Sequence, residues 1–248
     1  MLSPTLSLPG DFDSNYQIIL RFLHFIFGIT WVGLLYFFNL VNIPFLKELD
    51  GATRPKVIPP LMLRALFFFR WGAFGTVLVG FLYWSHIAAA DAHNARLGDF
   101  PNASIMLSQI SFFVIWTLVW ALLYLAMRVL KVNNGYVLAV ITLVVVTVGG
   151  YAFLALNSHG WESSRQLAIG LGGGMGWVML LNVWGVIWRV NKKLIGWNQA
   201  LTTNGTPIPA DSAALARLGF LCSRTNFYLS FPMLFLMAAA SHYQMFGK

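Results

Sequence analysis

The fold is decided by the stretch QIILRFLHFIFGITWVGLLYFFNLVNIPF, which runs from Gln17 to Phe45. Arg21 is the one charged residue in it. Because a helix rises about 1.5 Å per residue, a helix of this length exceeds the roughly 30 Å of a bilayer's hydrocarbon core. The stretch therefore predicts a transmembrane helix close to the start of the chain.

Composition extends that prediction to the whole chain. Of 248 residues, 58% are hydrophobic and 10% are charged, whereas soluble domains carry about 25% charged residues. The apolar runs predict six helices, at about 17–45, 64–89, 105–130, 136–156, 166–189 and 215–240. We expect an all-α, polytopic membrane bundle that forms a single domain over residues 1–248, without a cytochrome c domain.

The connections and the N-terminus also carry predictions. The longest connection runs from Asn191 to about Ala214, and its TTNGTPIPADS segment is typical of a loop. The polar, acidic residues before the first helix show no basic region or cleavage site, so we expect no removable signal peptide.

Lysine and arginine are distributed unequally between the two sides of the predicted bundle. Four of the 16 lie on one side: Arg21, Arg96, Arg165 and Lys248. The other twelve lie on the opposite side: Lys47, Arg54, Lys56, Arg64, Arg70, Arg128, Lys131, Arg189, Lys192, Lys193, Arg217 and Arg224. Basic residues favour the cytoplasmic side, so both termini should face outward, into the periplasm if this is a bacterial inner membrane. Since these residues flank apolar spans, the net charge of +8 does not indicate a nucleic-acid partner.

All five histidines fall on the predicted outer side: His24, His86, His93, His159 and His242. His24 lies deepest, about two turns into the first helix. An ionisable side chain inside a span is expensive to insert and is a functional candidate.

One face of the first helix combines features that suit a b-type haem. Arg21, His24, Gly28 and Trp31 recur at intervals of three or four residues, which places them on one stripe. An imidazole nitrogen is an axial ligand for haem iron. The arginine would pair with a propionate, and the glycine would leave room for the flat ring. The alternative is a histidine that is hydrogen-bonded to a neighbouring helix.

A second axial ligand has three candidates. His242 and His159 lie at the same predicted depth as His24, and His86 is a further possibility. Each is equally compatible with a solvated histidine at the membrane surface. The run GLGGGMG, Gly170 to Gly176, permits close approach either of another helix or of a planar ligand.

Three other features limit the function. The single cysteine, Cys222, excludes an intrachain disulfide and a cysteine-rich zinc site. All eight carboxylates fall in predicted loops or termini, which argues against a carboxylate-based pump. Trp84, Trp161, Trp188 and Tyr243 lie near predicted helix ends and are typical of an interfacial aromatic belt.

Four blocks of sequence resemble the membrane domain of the cytochrome-c-linked bacterial urate oxidase (urate hydroxylase) family. They are LRFLHFIFGITWVGLLYFFN (Leu20–Asn39), RWGAFGTVLVGFLYW (Arg70–Trp84), WVMLLNVWGVIWRVNKK (Trp177–Lys193) and SRTNFYLSFPMLFLMAAASHY (Ser223–Tyr243). The resemblance implies a membrane-embedded oxidase module that passes electrons to a cytochrome c.

Individual residues match or depart from that family's pattern. His24, Trp31, Asn226, Tyr228 and His242 match its motif positions. Gln166 and Thr225 stand where the resemblance leads us to expect histidines, and Gly72 stands where it leads us to expect a glutamate. With no C-x-x-C-H motif in the sequence, the electron acceptor would be a separate protein.

Two hypotheses of different classes follow. The first is a membrane redox protein that holds haem b near the outer face and reduces a periplasmic cytochrome c. The second is a cofactor-free structural or anchoring subunit of a larger membrane complex, which the substituted histidines favour. Transport is a weaker third reading, since the sequence shows no inverted repeat.

Overall fold

The structure is a computed structural model that describes residues 9–130, 132 and 134–246. Its six long helices are α1 (Phe12–Glu48), α2 (Arg54–Arg96), α3 (Met106–Arg128), α4 (Gly135–Ala155), α5 (Ser164–Asn204) and α6 (Ser212–Ala239). The described residues contain no strand. The predicted all-α fold is confirmed.

Five of the helices, α1 to α5, are long and apolar enough to cross a membrane. α6 is less apolar because its inward face buries polar side chains, including Thr225, Asn226 and Ser230. Large apolar side chains such as Ile29, Leu118 and Leu143 are instead exposed on the outside of the bundle. An apolar exterior around a partly polar interior fits lipid rather than water, so the chain is a multi-pass membrane protein.

Two helices contain a π-helical segment. α1 is α-helical over Phe12–Tyr36, π-helical over Phe37–Asn42 and α-helical again over Ile43–Glu48. α5 has a π-helical segment at Val183–Ile187. Such segments are frequent at functional sites because they shift the register of the side chains that follow.

Two helices extend well past their predicted bounds. α2 begins at Arg54 rather than near residue 64, with Pro59 and Pro60 in its early turns. α5 continues to Asn204, so most of the predicted loop from Asn191 to Ala214 is helical. It ends at Gly205, whose φ of 69° is left-handed. Both extensions contain charged residues, such as Arg54 on α2 and Lys192 on α5, and apolar length alone underestimated them.

A chain of side-chain hydrogen bonds joins three helices near the middle of the bundle. Trp120 Nε1 on α3 donates to Asn182 Oδ1 at 3.1 Å. Asn182 Nδ2 on α5 donates to Asn226 Oδ1 on α6 at 2.8 Å, and Asn226 Nδ2 donates to the Met179 carbonyl at 3.0 Å. Asn182 and Asn226 are both completely buried. In hydrocarbon, polar groups that satisfy one another hold helices together.

The alternating direction of the six helices places the start of α1 and the end of α6 at one end of the bundle, here called the outer end. Asp11 caps α1 there, and the Ser14 N–H that donates to Asp11 Oδ1 at 2.7 Å lowers the pKa of that carboxyl.

The charge distribution predicts that this end faces outward. Of the basic residues in that count, Lys131 and Lys248 lie outside the described residues.

Neighbouring glycines on α5 provide a paired test of the packing. A Cβ on Gly174 would lie 1.8 Å from Trp116 Nε1, whereas a Cβ on Gly173 would meet nothing closer than Phe112 Cε2 at 3.6 Å. We expect Gly174→Ala to destabilise the protein by roughly 1–3 kcal/mol through overpacking. That corresponds to a Tm lower by about 2–4 °C per kcal/mol, measured on the detergent-purified protein. Gly173→Ala should leave Tm unchanged or slightly higher, and equal melting of the two variants would contradict this packing.

Candidate functional site

A cavity of about 500 Å³ lies at the outer end between α1, α2, α5 and α6. Its volume is within the range of about 300–1,000 Å³ that ligand sites in proteins occupy. Arg21, His24, Gly28 and Trp31, which the sequence places on one stripe of α1, all line it. We call it the outer cavity.

A backbone carbonyl group of α2 holds the side chain of His24. Its Nδ1 atom lies 2.9 Å from the carbonyl oxygen of Thr76. Gly80 makes this approach possible, since a Cβ there would lie 2.8 Å from His24 Cε1 and 2.9 Å from Nδ1. Because a carbonyl only accepts, Nδ1 carries a proton, and in the neutral ring Nε2 is left with a free lone pair. A histidine that ligates a metal is usually oriented by just such a bond from its other nitrogen.

The GLGGGMG run serves both purposes that the sequence left open. Gly170 and Gly174 face the rings of Phe153 and Trp116, so they are required for helix packing. Gly172, Gly173 and Gly176 line the outer cavity; Gly172 also packs against α6, whereas a Cβ on Gly173 or Gly176 would meet nothing closer than 3.6 Å. A flat ligand can therefore approach the backbone of α5.

Two arginines lie in the wall of the outer cavity, Arg21 on α1 and Arg165 on α5. Arg165 Nη2 donates to the Tyr83 hydroxyl, and its Nε is buried without a partner. Among the described residues, no carboxylate lies within ion-pair distance of either arginine. The pair is therefore available to an anionic group.

One residue of the cavity lining also carries a buried donor without an acceptor. Trp31 is 1% exposed, it lines the cavity, and its Nε1 has no partner. A buried N–H of this kind is costly unless a ligand satisfies it. Trp84 is also in the lining and is 2% exposed, with its Nε1 donating to the Gln166 carbonyl at 2.9 Å. Trp84, which the sequence places near a helix end, is buried inside the bundle, and α2 continues past it to Arg96.

The other histidines lie at the outer end but outside the cavity lining. His242 is exposed in the turn after α6, although its neighbours Ala240 and Ser241 line the cavity. His159 pairs with Glu162, Nδ1 to Oε1 at 2.7 Å. His86 Nε2 lies 3.1 Å from Gln17 Nε2 and packs edge-on against Tyr16, and His93 is exposed.

Sequence reasoning missed three important residues. Thr76 acts through its backbone carbonyl and Gly80 through its lack of a side chain, so no pattern of residue types marks either position. Arg165 did carry a signal, since it is one of only four basic residues on the outer side. The N-terminal turn of α5 positions it, where Ser163 Oγ accepts from Gln166 N at 3.1 Å and donates to Asp91 at 2.5 Å.

The donor set suits one kind of metal group. Among the described residues, no three histidine, cysteine or carboxylate side chains come together to hold a metal ion. A single oriented imidazole fits a metal whose remaining ligands come from a macrocycle. The volume of the cavity, the glycines of α5 and the two arginines also suit a metal held in a macrocycle.

Fold and site together define a polytopic helical membrane protein with a cavity of about 500 Å³ at its outer end. A family model described as "Urate oxidase N-terminal" matches residues 50–248, which is well over half of the chain. The chain therefore belongs to the urate oxidase N-terminal family. No curated protein and no solved structure matched it.

The match begins after α1. His24 and its stripe therefore stand on the structure and on their own chemistry, whereas α2, α5 and α6 fall within the matched range.

The His24 geometry predicts a tautomer. In protein labelled with ¹⁵N-histidine and prepared without added metal or haem, Nδ1 of His24 should carry the proton and Nε2 should not. The ¹⁵N shifts of the two nitrogens measure this, and His24→Ala assigns the signals. A neutral ring that carries its proton on Nε2 instead of Nδ1 would contradict the bond to Thr76.

Proposed function

We propose that the outer cavity binds a b-type haem through His24 Nε2, and that the chain is a membrane redox module that passes electrons to a cytochrome c at its outer face. The observation that carries the proposal is the orientation of His24, whose Nδ1 is committed to the Thr76 carbonyl while its Nε2 remains free at the cavity. When bound, haem supplies a one-electron iron couple.

The chain's own residues would bind and orient that group. Arg21 and Arg165 are suited to pair with its propionates, because both are cations without a carboxylate partner among the described residues. Trp31 Nε1 offers a further donor. Gly172, Gly173 and Gly176 permit contact with the ring face, and apolar residues such as Phe25 and Phe81 exclude water.

His242 remains our candidate for the second axial ligand. Tyr36 OH and Ser230 Oγ lie 3.1 Å apart, which fixes the level of α1 against α6. His24 lies twelve residues outward from Tyr36, and His242 lies twelve residues outward from Ser230. α6 ends at Ala239 and His242 lies in the turn that follows, so both histidines lie on the outer side of that contact. His242 would have to turn inward from its exposed position.

The position of the site supports transfer to a soluble partner. The cavity is at the end that the charge distribution places outside, where a periplasmic cytochrome c would dock. The family relationship to a urate oxidase supports redox chemistry, and the bacterial inner membrane is the location that we propose.

A second candidate function is a cofactor-free anchoring subunit. Gln166 and Thr225 stand where the resemblance leads us to expect histidines. Both are buried, and both amide heteroatoms of Gln166 and the hydroxyl of Thr225 lack partners. If ligating histidines at these positions had been replaced, buried polar side chains without a partner would be the expected result, which supports a subunit without a cofactor.

A reduced-minus-oxidised optical spectrum tests the haem proposal. The detergent-purified protein, reconstituted with haem if necessary, should show the α-band of a b-type haem. His24→Ala should lose it, because no other histidine lines the cavity. His242→Ala should keep the haem but convert it to a high-spin spectrum, since one axial ligand remains.

His93→Ala is the matched control, because His93 is an exposed histidine at the same end of the bundle. It should leave the spectrum unchanged. Absence of a Soret band after reconstitution, or a normal spectrum in His24→Ala, would contradict the proposal. The first of these results would favour the anchoring subunit.

A further inference from the structure

A second cavity, of about 440 Å³, lies at the opposite end of the same four helices. We call it the inner cavity. Phe38, Ile43, Met62 and Leu66 contribute to its largely apolar wall. Sequence analysis did not predict this cavity, because part of its wall comes from segments of α2 and α5 that were expected to be loops.

The two cavities are separate sites. On α6 the inner cavity ends at Ser223 and the outer cavity begins at Met233, which at 1.5 Å per residue is a separation of about 15 Å. The hydrogen-bonded chain from Trp120 through Asn182 to Asn226 closes the bundle between them. A ligand of the inner cavity is therefore distinct from the ligand proposed for the outer cavity.

Asn42 supplies a built contact in the inner cavity. It lies in the π-helical segment of α1, it is 5% exposed, and its Oδ1 is buried without a partner. Its Nδ2 points to Met62 Sδ at 3.8 Å, which fixes the direction of the amide. A buried acceptor without a partner, in a residue that lines a cavity, is costly unless a ligand donates to it.

Two further asparagines in the lining are oriented in the same sense. Asn191 Nδ2 donates to the Ile187 carbonyl at 2.8 Å, and Asn198 Nδ2 donates to the Leu194 carbonyl at 2.7 Å. These bonds turn each amide oxygen away from its own helix. The polar part of the cavity is therefore rich in acceptors.

The charge of the lining limits the ligand further. Among the described residues, Arg54 is the only charged one that lines the inner cavity, and it is exposed. A cation would lack a carboxylate, and a strongly anionic head group would find one cation. The site fits an uncharged molecule that donates hydrogen bonds from O–H groups and has an apolar body.

We propose that the inner cavity binds a quinol, with one ring hydroxyl donating to Asn42 Oδ1 and the tail lying along the apolar wall of α1 and α2. The oxidised quinone has no O–H to donate, so the site should distinguish the two redox forms. Binding at this site is independent of haem in the outer cavity, and its failure would leave the proposed function untouched.

The test uses the full-length protein as purified, with tritiated decylubiquinol and decylubiquinone in equilibrium dialysis against empty micelles. We expect the quinol to bind at least about tenfold more tightly than the quinone, which is the effect of one additional hydrogen bond of about 1.4 kcal/mol. Asn42→Leu should reduce quinol affinity about tenfold and leave quinone affinity unchanged.

Two further variants guard against misfolding. Asn157→Leu removes another buried asparagine whose Oδ1 lacks a partner, but Asn157 does not line the inner cavity, so quinol affinity should persist. Ala216→Trp fills the cavity from an exposed lining position, so the protein should fold and lose binding.

Several outcomes would overturn the proposal. They are no binding of either form, equal affinity for quinol and quinone, or the same loss in Asn157→Leu as in Asn42→Leu. A phospholipid that native mass spectrometry shows retained in the wild type, absent in Ala216→Trp and not displaced by decylubiquinol would assign the cavity to a lipid.

Discussion

The bundle depends on the pairing of polar side chains at its centre. Asn182 and Asn226 exchange a hydrogen bond between α5 and α6 with no exposure to solvent, and Trp120 joins α3 to them. In a bilayer the hydrophobic effect does not drive helix against helix, so such bonds and close packing at glycine must do so. This pairing fixes α5 against α6 and leaves an open cavity at each end.

Against that paired centre, the unpaired groups are informative. Trp31 Nε1 lacks a partner at the outer cavity, and Asn42 Oδ1 lacks one at the inner cavity. One is a donor and the other is an acceptor, so the two cavities call for ligands of opposite hydrogen-bonding character. The π-helical segment of α1 lies on the inner side of the outer cavity and contributes Phe38 and Asn42 to the wall of the inner cavity.

Much of this was accessible from the sequence. The apolar runs predicted six helices, and the 3.6-residue periodicity placed Arg21, His24, Gly28 and Trp31 on one face, where the structure has them lining one cavity. The features that the sequence did not predict depend on backbone groups and on the position of a segment in the fold. The Thr76 carbonyl is a backbone group, so no residue type marks it. The ends of α2 and α5 resemble loops in the sequence because hydropathy indicates which residues prefer the bilayer and does not indicate where a helix ends.

The central claim is that His24 presents Nε2 to an iron-bearing ring in the outer cavity. Diffraction from crystals of the haem-reconstituted protein, collected at the iron absorption edge, tests it most directly. The account predicts an anomalous peak inside the outer cavity next to His24 Nε2, with planar density against the glycines of α5. A cavity filled by an acyl chain, or iron bound at a histidine outside the cavity, would contradict it.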